Sequence, residues 1–358
     1  MTTVAVLGAS GAVGRAALDL LRSWDVGPLR AGARRPVAVA GVESLAVDAR
    51  DPAALARFCS DARVVLNCAG PATDLTDTVA RAAVGAGADY VDAAGDDTLY
   101  DAVAHVLTTG DGTRVAVVSA GMMPGLTGLL PRLLAARLPQ GDRLAGYIGG
   151  RDRFTRTAAF DYVAATGSFG WPSAAWRDDR VVPGALAPVG DITVPFFPER
   201  VTGQPYLSTE AARAASALGL RWLDWYSVFA GDRVLAALRT APRPGNAGLR
   251  EAADLLCRAA ELDVFGHRPY QNVVVTLAGS DGGRTAAVCG TGASELTGTM
   301  AALTARAVLT GAVPPGTHHA AEALDPTATF AELATAPAVS LASVVAEAAD
   351  TAYEEDAI

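Results

Sequence analysis

The residues most able to do chemistry begin at Gly8-Ala9-Ser10-Gly11-Ala12-Val13-Gly14. Glycines at this spacing permit a tight turn, bring backbone close to a pyrophosphate and let a following helix pack closely, while the N-terminus of that helix stabilises negative charge. The string alone is a common turn; its place between an apolar run and an amphipathic stretch makes it a dinucleotide cradle. Gly8, Ser10, Gly11, Ala12, Val13 and Gly14 are therefore candidate phosphate contacts, with a structural turn as the plainer reading. About 20 residues on, where an acid would hold the ribose of NAD, the chain has Ala31-Gly32-Ala33-Arg34-Arg35. Arg makes bidentate, charge-assisted bonds to phosphate, so Arg34 and Arg35 suit the 2′-phosphate of NADP, against a merely solvated basic loop. Asp48 is left open between the adenine amino group and a turn cap. Asn67-Cys68-Ala69-Gly70-Pro71 ends another apolar run. Cys68, Ala69, Gly70 and Pro71 are candidate cofactor contacts at the crevice of a parallel sheet, or a plain strand-to-helix turn.

Hydride transfer also needs a proton and stabilisation of developing charge. The candidates are Tyr162 and Asp161 on a predicted helix, Tyr206, His267 and Asp96, with Asp161 also a candidate substrate contact. His267 competes with the reading of a structural histidine, and Asp96 with that of a helix N-cap. His318 and His319 lack Cys or acidic partners at metal spacing and are assigned to a surface loop; no metal is expected. Cys59, Cys68, Cys257 and Cys289 form no C-x-x-C and read as buried free thiols.

Every one of the 29 cations is Arg. A chain without Lys has no Schiff-base Lys, no P-loop Lys and no Tyr-x-x-x-Lys pair. The formal charge of −9 argues against a nucleic-acid partner. With 51% hydrophobic and 19% charged residues the chain is globular rather than disordered. The N-terminus lacks a basic stretch ahead of its short apolar run, and the longest uncharged segment, 115–131, is broken by Gly and Pro. The expectation is a cytoplasmic protein without a membrane span.

Positioning these residues requires particular elements. Apolar runs at 3–7, 29–33, 44–47, 64–68, 90–92 and 115–119 alternate with amphipathic stretches, the pattern of a doubly wound parallel-sheet domain. Val13, Ala17, Leu20 and Leu21 share a helical stripe, and Leu75, Val79, Ala82 and Ala83 predict another. Asp51-Pro52 predicts a helix start burying Leu55, Phe58 and Cys59. Strands are predicted at 144–148, 272–277 and 285–288, the last two joined by a Ser280-Asp281-Gly282-Gly283 turn. A helix at 295–309 is expected to return to the first domain, and the acidic tail after Val345 to fray. The division is thus a Rossmann domain at 1–125 joined by a returning C-terminal helical segment at 293–345, with a second α+β substrate domain at 126–292. Trp171, Trp176, Trp222 and Trp225, with Phe196, Phe197, Tyr206 and Tyr226 nearby, would line a pocket or a docking face, or fill the core.

The chain resembles the saccharopine dehydrogenase-like reductases. The resemblance rests on the Gly8–Gly14 turn, Arg34-Arg35, Asn67-Cys68-Ala69-Gly70-Pro71, Tyr90-Val91-Asp92-Ala93-Ala94-Gly95-Asp96 and Gly121-Met122-Met123-Pro124-Gly125-Leu126. It covers residues 1–135 and returns over 291–311 and at Val313-Pro314-Pro315-Gly316. It implies an NADP-binding Rossmann domain, a second α/β domain inserted before a returning helix, and NADPH-dependent reduction of an imine-type C=N bond or the reverse amine dehydrogenation. Saccharopine-forming members tend to carry an acid in the Gly-x-Asp-Pro-Gly loop where this chain has Met123, so Met122 and Met123 imply a more apolar, small substrate. Enoyl or keto reduction of a carrier-bound intermediate, and a non-catalytic NADP-binding redox sensor, are the alternatives. A homodimer is expected, as the commonest soluble assembly.

Overall fold

A computed structural model describes residues 2–108, 112–164, 169–240, 248–280 and 282–347. The first part alternates as expected: β1 (Thr2–Leu7), α1 (Ala12–Ser23), β2 (Leu29–Ala33), β3 (Glu43–Ala46), α2 (Pro52–Cys59), β4 (Ala62–Asn67), α3 (Ala72–Leu75), α4 (Thr78–Gly85), β5 (Asp89–Asp92), α5 (Asp97–Thr108) and β6 (Val115–Val118). The six strands pair in parallel in the order β3-β2-β1-β4-β5-β6. Both sheet faces are covered, which is why these strands read as unbroken apolar runs. Val4, Val6, Val64 and Leu66 face one core, and Ala5, Leu7, Val65 and Tyr90 the other. Strand order reverses between β1 and β4, so the ligand crevice lies at the carboxyl ends of those two strands.

Local signals account for most helix positions. Asp51 caps α2 by accepting from Ala53 N and Ala54 N, and α2 buries Leu55, Phe58 and Cys59. The stripe beginning at Leu75 is not one helix: Leu75 closes α3, Thr76 turns to φ 45°, and α4 starts at Thr78.

The second part contains α6 (Leu126–Arg137), β7 (Gly141–Arg151), α7 (Arg156–Ala164), β8 (Gly170–Pro172), β9 (Ala175–Arg177), β10 (Arg180–Val182), β11 (Val189–Ile192), β12 (Val201–Ser208), α8 (Thr209–Ala217), β13 (Trp222–Phe229), α9 (Asp232–Thr240), α10 (Leu249–Val264), β14 (Tyr270–Gly279) and β15 (Gly282–Gly290). These strands form a mixed sheet in which β7 runs parallel to β13 and antiparallel to β14. The β14–β15 hairpin closes with Gly279 opposite Gly282; Asp281 lies outside the described residues. Trp225 and Trp176 are buried, whereas Trp171 and Trp222 are half-exposed and Arg177 lies 4.2 Å over the Trp222 ring. Core packing thus absorbs two of the four tryptophans.

The chain then returns through α11 (Ala293–Leu309), β16 (Gly316–His319), α12 (Ala320–Ala323), α13 (Pro326–Leu333) and β17 (Val339–Glu347). Helix α11 lies on α1, so closely that a Cβ on Gly298 would stand 2.6 Å from Val13 O. Strand β16 adds to the parallel sheet beside β6 and β17 to the mixed sheet beside β15, so the segment expected to be helical and to join the first domain carries two strands, the second of which belongs to the other sheet. His318 and His319 therefore lie on a strand rather than in a surface loop. His319 is buried, stacks on Tyr100 at 4.6 Å and places Nδ1 3.0 Å from Ser119 Oγ. Burial holds its pKa below the usual histidine value. The acidic tail beyond 347 lies outside the described residues.

Glu210 fastens the two parts of this core. The N-cap of helix α6 is Gly125, which has no side chain to cap it, and Glu210 of α8 supplies the missing acceptor: Oε1 takes Gly125 N–H at 2.7 Å, and Oε2 takes the Thr127 hydroxyl. Burial raises the Glu210 pKa, opposed by these two bonds. Glu210→Ala would strand both buried donors, so it is expected to cost about 1–3 kcal/mol. A lower melting temperature by calorimetry is the expected reading; an unchanged one would remove this role.

Candidate functional site

The glycine turn is built to hold something against backbone. Gly8 has φ +82°, and a Cβ there would lie 2.6 Å from Cys68 C and 2.7 Å from Ala69 N. A Cβ on Gly14 would lie 2.3 Å from Gly8 O. Gly8 N–H and Ala9 N–H both donate to Gly32 O, tying the turn to the end of β2. Gly11, at the N-cap of α1, offers no side-chain acceptor, so first-turn N–H groups are available to a phosphate. Ser10 and Gly11 are exposed at its rim, and Ala12 and Val13 are half-buried beneath. Arg34 and Arg35 are exposed just after β2 and enter no ion pair among the described residues. Asp48 is exposed and accepts Arg50 N–H at 3.0 Å, which is turn capping. These residues fit a dinucleotide with a 2′-phosphate.

Gly14→Ala tests the cradle. The added methyl overpacks Gly8 O, a change costing about 1–3 kcal/mol, so NADPH binding should weaken by about 10-fold or more in a calorimetric titration. Undiminished binding would show that the helix does not need its close approach to the turn.

Two residues that stand in quoted motifs but received no role from the sequence fix the loops along this edge. Asn67 and Asp92 end β4 and β5 and stand opposite each other in register. Asn67 Nδ2 donates to Asp92 Oδ2 at 2.9 Å, and Asn67 Oδ1 accepts Ala69 N–H at 3.1 Å. Asp92 also accepts the Tyr90 hydroxyl and, at 2.9 Å, Ala94 N–H. Burial raises its pKa against the pull of those bonds. The pair thereby sets the 68–71 and 93–96 loops.

Across the crevice, α7 rests on the 70–72 segment. Asp161 Oδ1 accepts Ala72 N–H at 3.1 Å, and its Oδ2 would lie 3.4 Å from a Cβ built on Gly70. Thr157 of the same helix would be 2.8 Å from that Cβ, so Gly70 is glycine because α7 sits there. Burial raises the Asp161 pKa to about 6, opposed by the Ala72 bond and reinforced by Asp74 and Asp92.

Tyr162 follows directly. Its hydroxyl is hydrogen-bonded with Ser227 and its pKa is pushed by burial to about 12, while part of its ring remains exposed. In the β12–β13 pairing Gln204 stands opposite Ser227, so Tyr206, two residues on, shares that face. Burial, then the nearby Tyr162, raises the Tyr206 pKa. Met122 and Met123 are half-buried against the main core, with Met122 N–H 3.4 Å from Thr297 Oγ1. The structure brings Asp161, Tyr162, Tyr206 and Gly70 into one region.

Two expected donors take other positions. Asp96 accepts Leu99 N–H at 3.2 Å and so caps α5, the competing reading of that residue. His267 lies exposed in the turn after α10, its backbone N–H bonded to Val264 O, and is no part of the Asp161 cluster. Among the described residues no group of three His, Cys, Asp or Glu could hold a metal ion, and no helix is long and apolar enough to cross a membrane.

The model of the saccharopine dehydrogenase NADP binding domain matches residues 4–113. A probable mitochondrial saccharopine dehydrogenase-like oxidoreductase of Arabidopsis thaliana is 30% identical over 150 residues, 35% of this chain and 33% of that protein's length. A structure of saccharopine dehydrogenase (L-Glu forming) from Saccharomyces cerevisiae shares the fold across 97% of this chain and 100% of that one, with a TM-score of 0.67 at 14% identity. Residues 4–113 thus match a saccharopine dehydrogenase NADP binding domain, while the chain spans about a third of the length of the curated relative it resembles.

Proposed function

We propose that this chain is an NADPH-dependent oxidoreductase that reduces an imine-type C=N bond, or runs the reverse amine dehydrogenation, on a small and partly apolar substrate. The observation that carries the reading is Asp161: a carboxyl with pKa raised to about 6, held over the Gly70–Ala72 segment at the carboxyl edge of the parallel sheet. NADPH, when bound, supplies the hydride. The Gly8–Gly14 turn and the first turn of α1 would hold its pyrophosphate, Arg34 and Arg35 its 2′-phosphate, and the Cys68–Pro71 backbone its nicotinamide end.

Asp161 Oδ1 is occupied by Ala72 N–H, so the acid proton resides on Oδ2, the oxygen turned towards Gly70. Transfer of that proton to the imine nitrogen leaves the carbon electron-poor. With hydride added to carbon the product is the amine, and Asp161 is left as carboxylate. Raised pKa values keep Tyr162 and Tyr206 neutral at pH 7, suited to orienting a substrate by hydrogen bonds. Met122 and Met123 supply an apolar wall that favours a substrate without a charged group at that point.

The test is NADPH consumption with cyclic imines, oxo acids and enoyl thioesters. Turnover on imines supports the reading. Turnover confined to oxo acids or enoyl thioesters replaces it with keto or enoyl reduction, and tight NADPH binding with no turnover on any class favours a redox sensor.

A further inference from the structure

We propose that Gln271 sets the substrate specificity of this site by selecting an imine that carries a neutral amide group, an inference that rests on the imine reduction proposed above. Residues of β14 alternate in direction: Val273, Val275 and Leu277 join the core beneath α6, whereas Val274 joins the cluster on the opposite face. Asn272 goes with Val274 and donates to Phe196 O at 2.8 Å. Gln271 therefore shares the face of Val273. It is only 9% exposed, yet its carboxamide makes no hydrogen bond among the described residues. Its cross-strand neighbours are Gly150 of β7 and Gly290 of β15, which have no side chains to engage it. A buried amide whose donor and acceptor both go unused is destabilising until a partner arrives, so this carboxamide points to a ligand.

The topology puts that amide on the crevice. Helix α6 ends at Arg137 and β7 starts at Gly141, so the N-terminus of α6 lies towards the far end of β7, where Gly150 stands opposite Gln271. The loop before α6 carries Met122 and Met123. Helix α11 closes the same corner: Leu296 lies 2.7 Å from a Cβ built on Gly290, and Thr297 3.2 Å from one built on Gly121. On the other side Ser227, the partner of Tyr162, is two strands and two residues away from Gln271, about 10 Å across the sheet and about 7 Å along it. That span accommodates a small ring with one substituent. Acids border the corner. Asp152 accepts Ala293 N–H at 2.6 Å, and its Oδ2 and Glu295 Oε2 both crowd the Cβ position of Gly292. Burial raises the Asp152 pKa, opposed by that bond, with Glu295 adding to the rise. A carboxylate on the substrate would be repelled by these acids and by Asp161, whereas an amide is neutral and pairs its N–H and C=O with both ends of the Gln271 carboxamide at once.

The test is calorimetric binding, to the NADP-saturated protein, of ring amines that carry a carboxamide, a carboxylate or a methyl group at one ring position; such amines are the products of cyclic imine reduction. The carboxamide should bind about 10- to 100-fold more tightly than the methyl compound, because only it pairs the buried amide, and the carboxylate should bind most weakly. Gln271→Met, similar in length but without hydrogen-bonding groups, should erase the carboxamide preference and leave NADPH affinity unchanged. Gln271→Glu, which keeps the shape and loses the N–H donor, should reduce it too. Equal binding of the carboxamide and methyl amines by wild type, tighter binding of the carboxylate, or a preference that survives both substitutions overturns the proposal. Failure of the imine reading itself looks different: NADPH then stays reduced with every imine of the series, while a carboxamide preference that depends on Gln271 still upholds selection of the amide.

Discussion

Asp161→Asn should lower kcat for reduction by about 10²–10⁴-fold, the usual contribution of a positioned general acid, with NADPH affinity unchanged. Asn keeps the side-chain oxygen that accepts Ala72 N–H, so α7 stays seated on the 70–72 segment and only the transferable proton is lost. The pH dependence follows from the raised pKa of about 6. Reduction needs the acid form, so its rate is full below that pH and falls as pH rises through it. Amine dehydrogenation needs the carboxylate and has the opposite limb. Both limbs should vanish in Asp161→Asn. For folding, a carboxyl raised above its unfolded value disfavours the folded state once it ionises, so the variant is expected to be no less stable than wild type above pH 6. A variant with wild-type kcat and an unchanged pH profile would remove Asp161 from the chemistry.

Arg34→Ala combined with Arg35→Ala should weaken NADPH binding by about 100-fold, from about 1.5 kcal/mol for each charge-assisted bond at the lower end of its range. NADH, lacking the 2′-phosphate, should bind the variant almost as it binds wild type. Both guanidiniums are exposed and engaged in no ion pair among the described residues, so the change leaves no buried charge and little effect on the fold. The loss should shrink at high salt, since exposed charges are screened. Equal losses for the two dinucleotides, measured by calorimetric titration, would contradict the 2′-phosphate assignment.

The parallel sheet was readable because its strands are buried on both faces; the predicted runs at 29–33 and 115–119 meet β2 at Leu29–Ala33 and β6 at Val115–Val118. The break between α3 and α4 was not readable, because one residue, Thr76 at φ 45°, overrides a continuous apolar stripe. In the mixed sheet β7, β14 and β15 were legible as apolar runs, whereas β12 and β13, eight residues each, are broken by Gly203 and Pro205 and by Asp224 and Ser227. Strands β8 to β11 have three or four residues each, and β17 was hidden because Val339–Glu347 has neither the alternation nor the turn signals of an isolated strand. At the site, the glycine turn and Arg34-Arg35 are local patterns and were legible as such. Asn67 and Asp92 were not, although each is a polar residue closing an apolar strand; their partnership exists only through the β4–β5 register. Asp96 and Asp161 looked alike in sequence, and tertiary contacts separate them: one caps α5, the other crosses to Ala72.

The most direct test of the account is a single-turnover experiment with the protein in excess over NADPH, mixed with a cyclic imine between pH 5 and 9 while the absorbance of the reduced nicotinamide is followed. The account predicts exponential loss of that absorbance, with formation of the amine and a rate that declines as pH rises through about 6. Bound NADPH that stays reduced at every pH, or a rate indifferent to pH across that range, would contradict it.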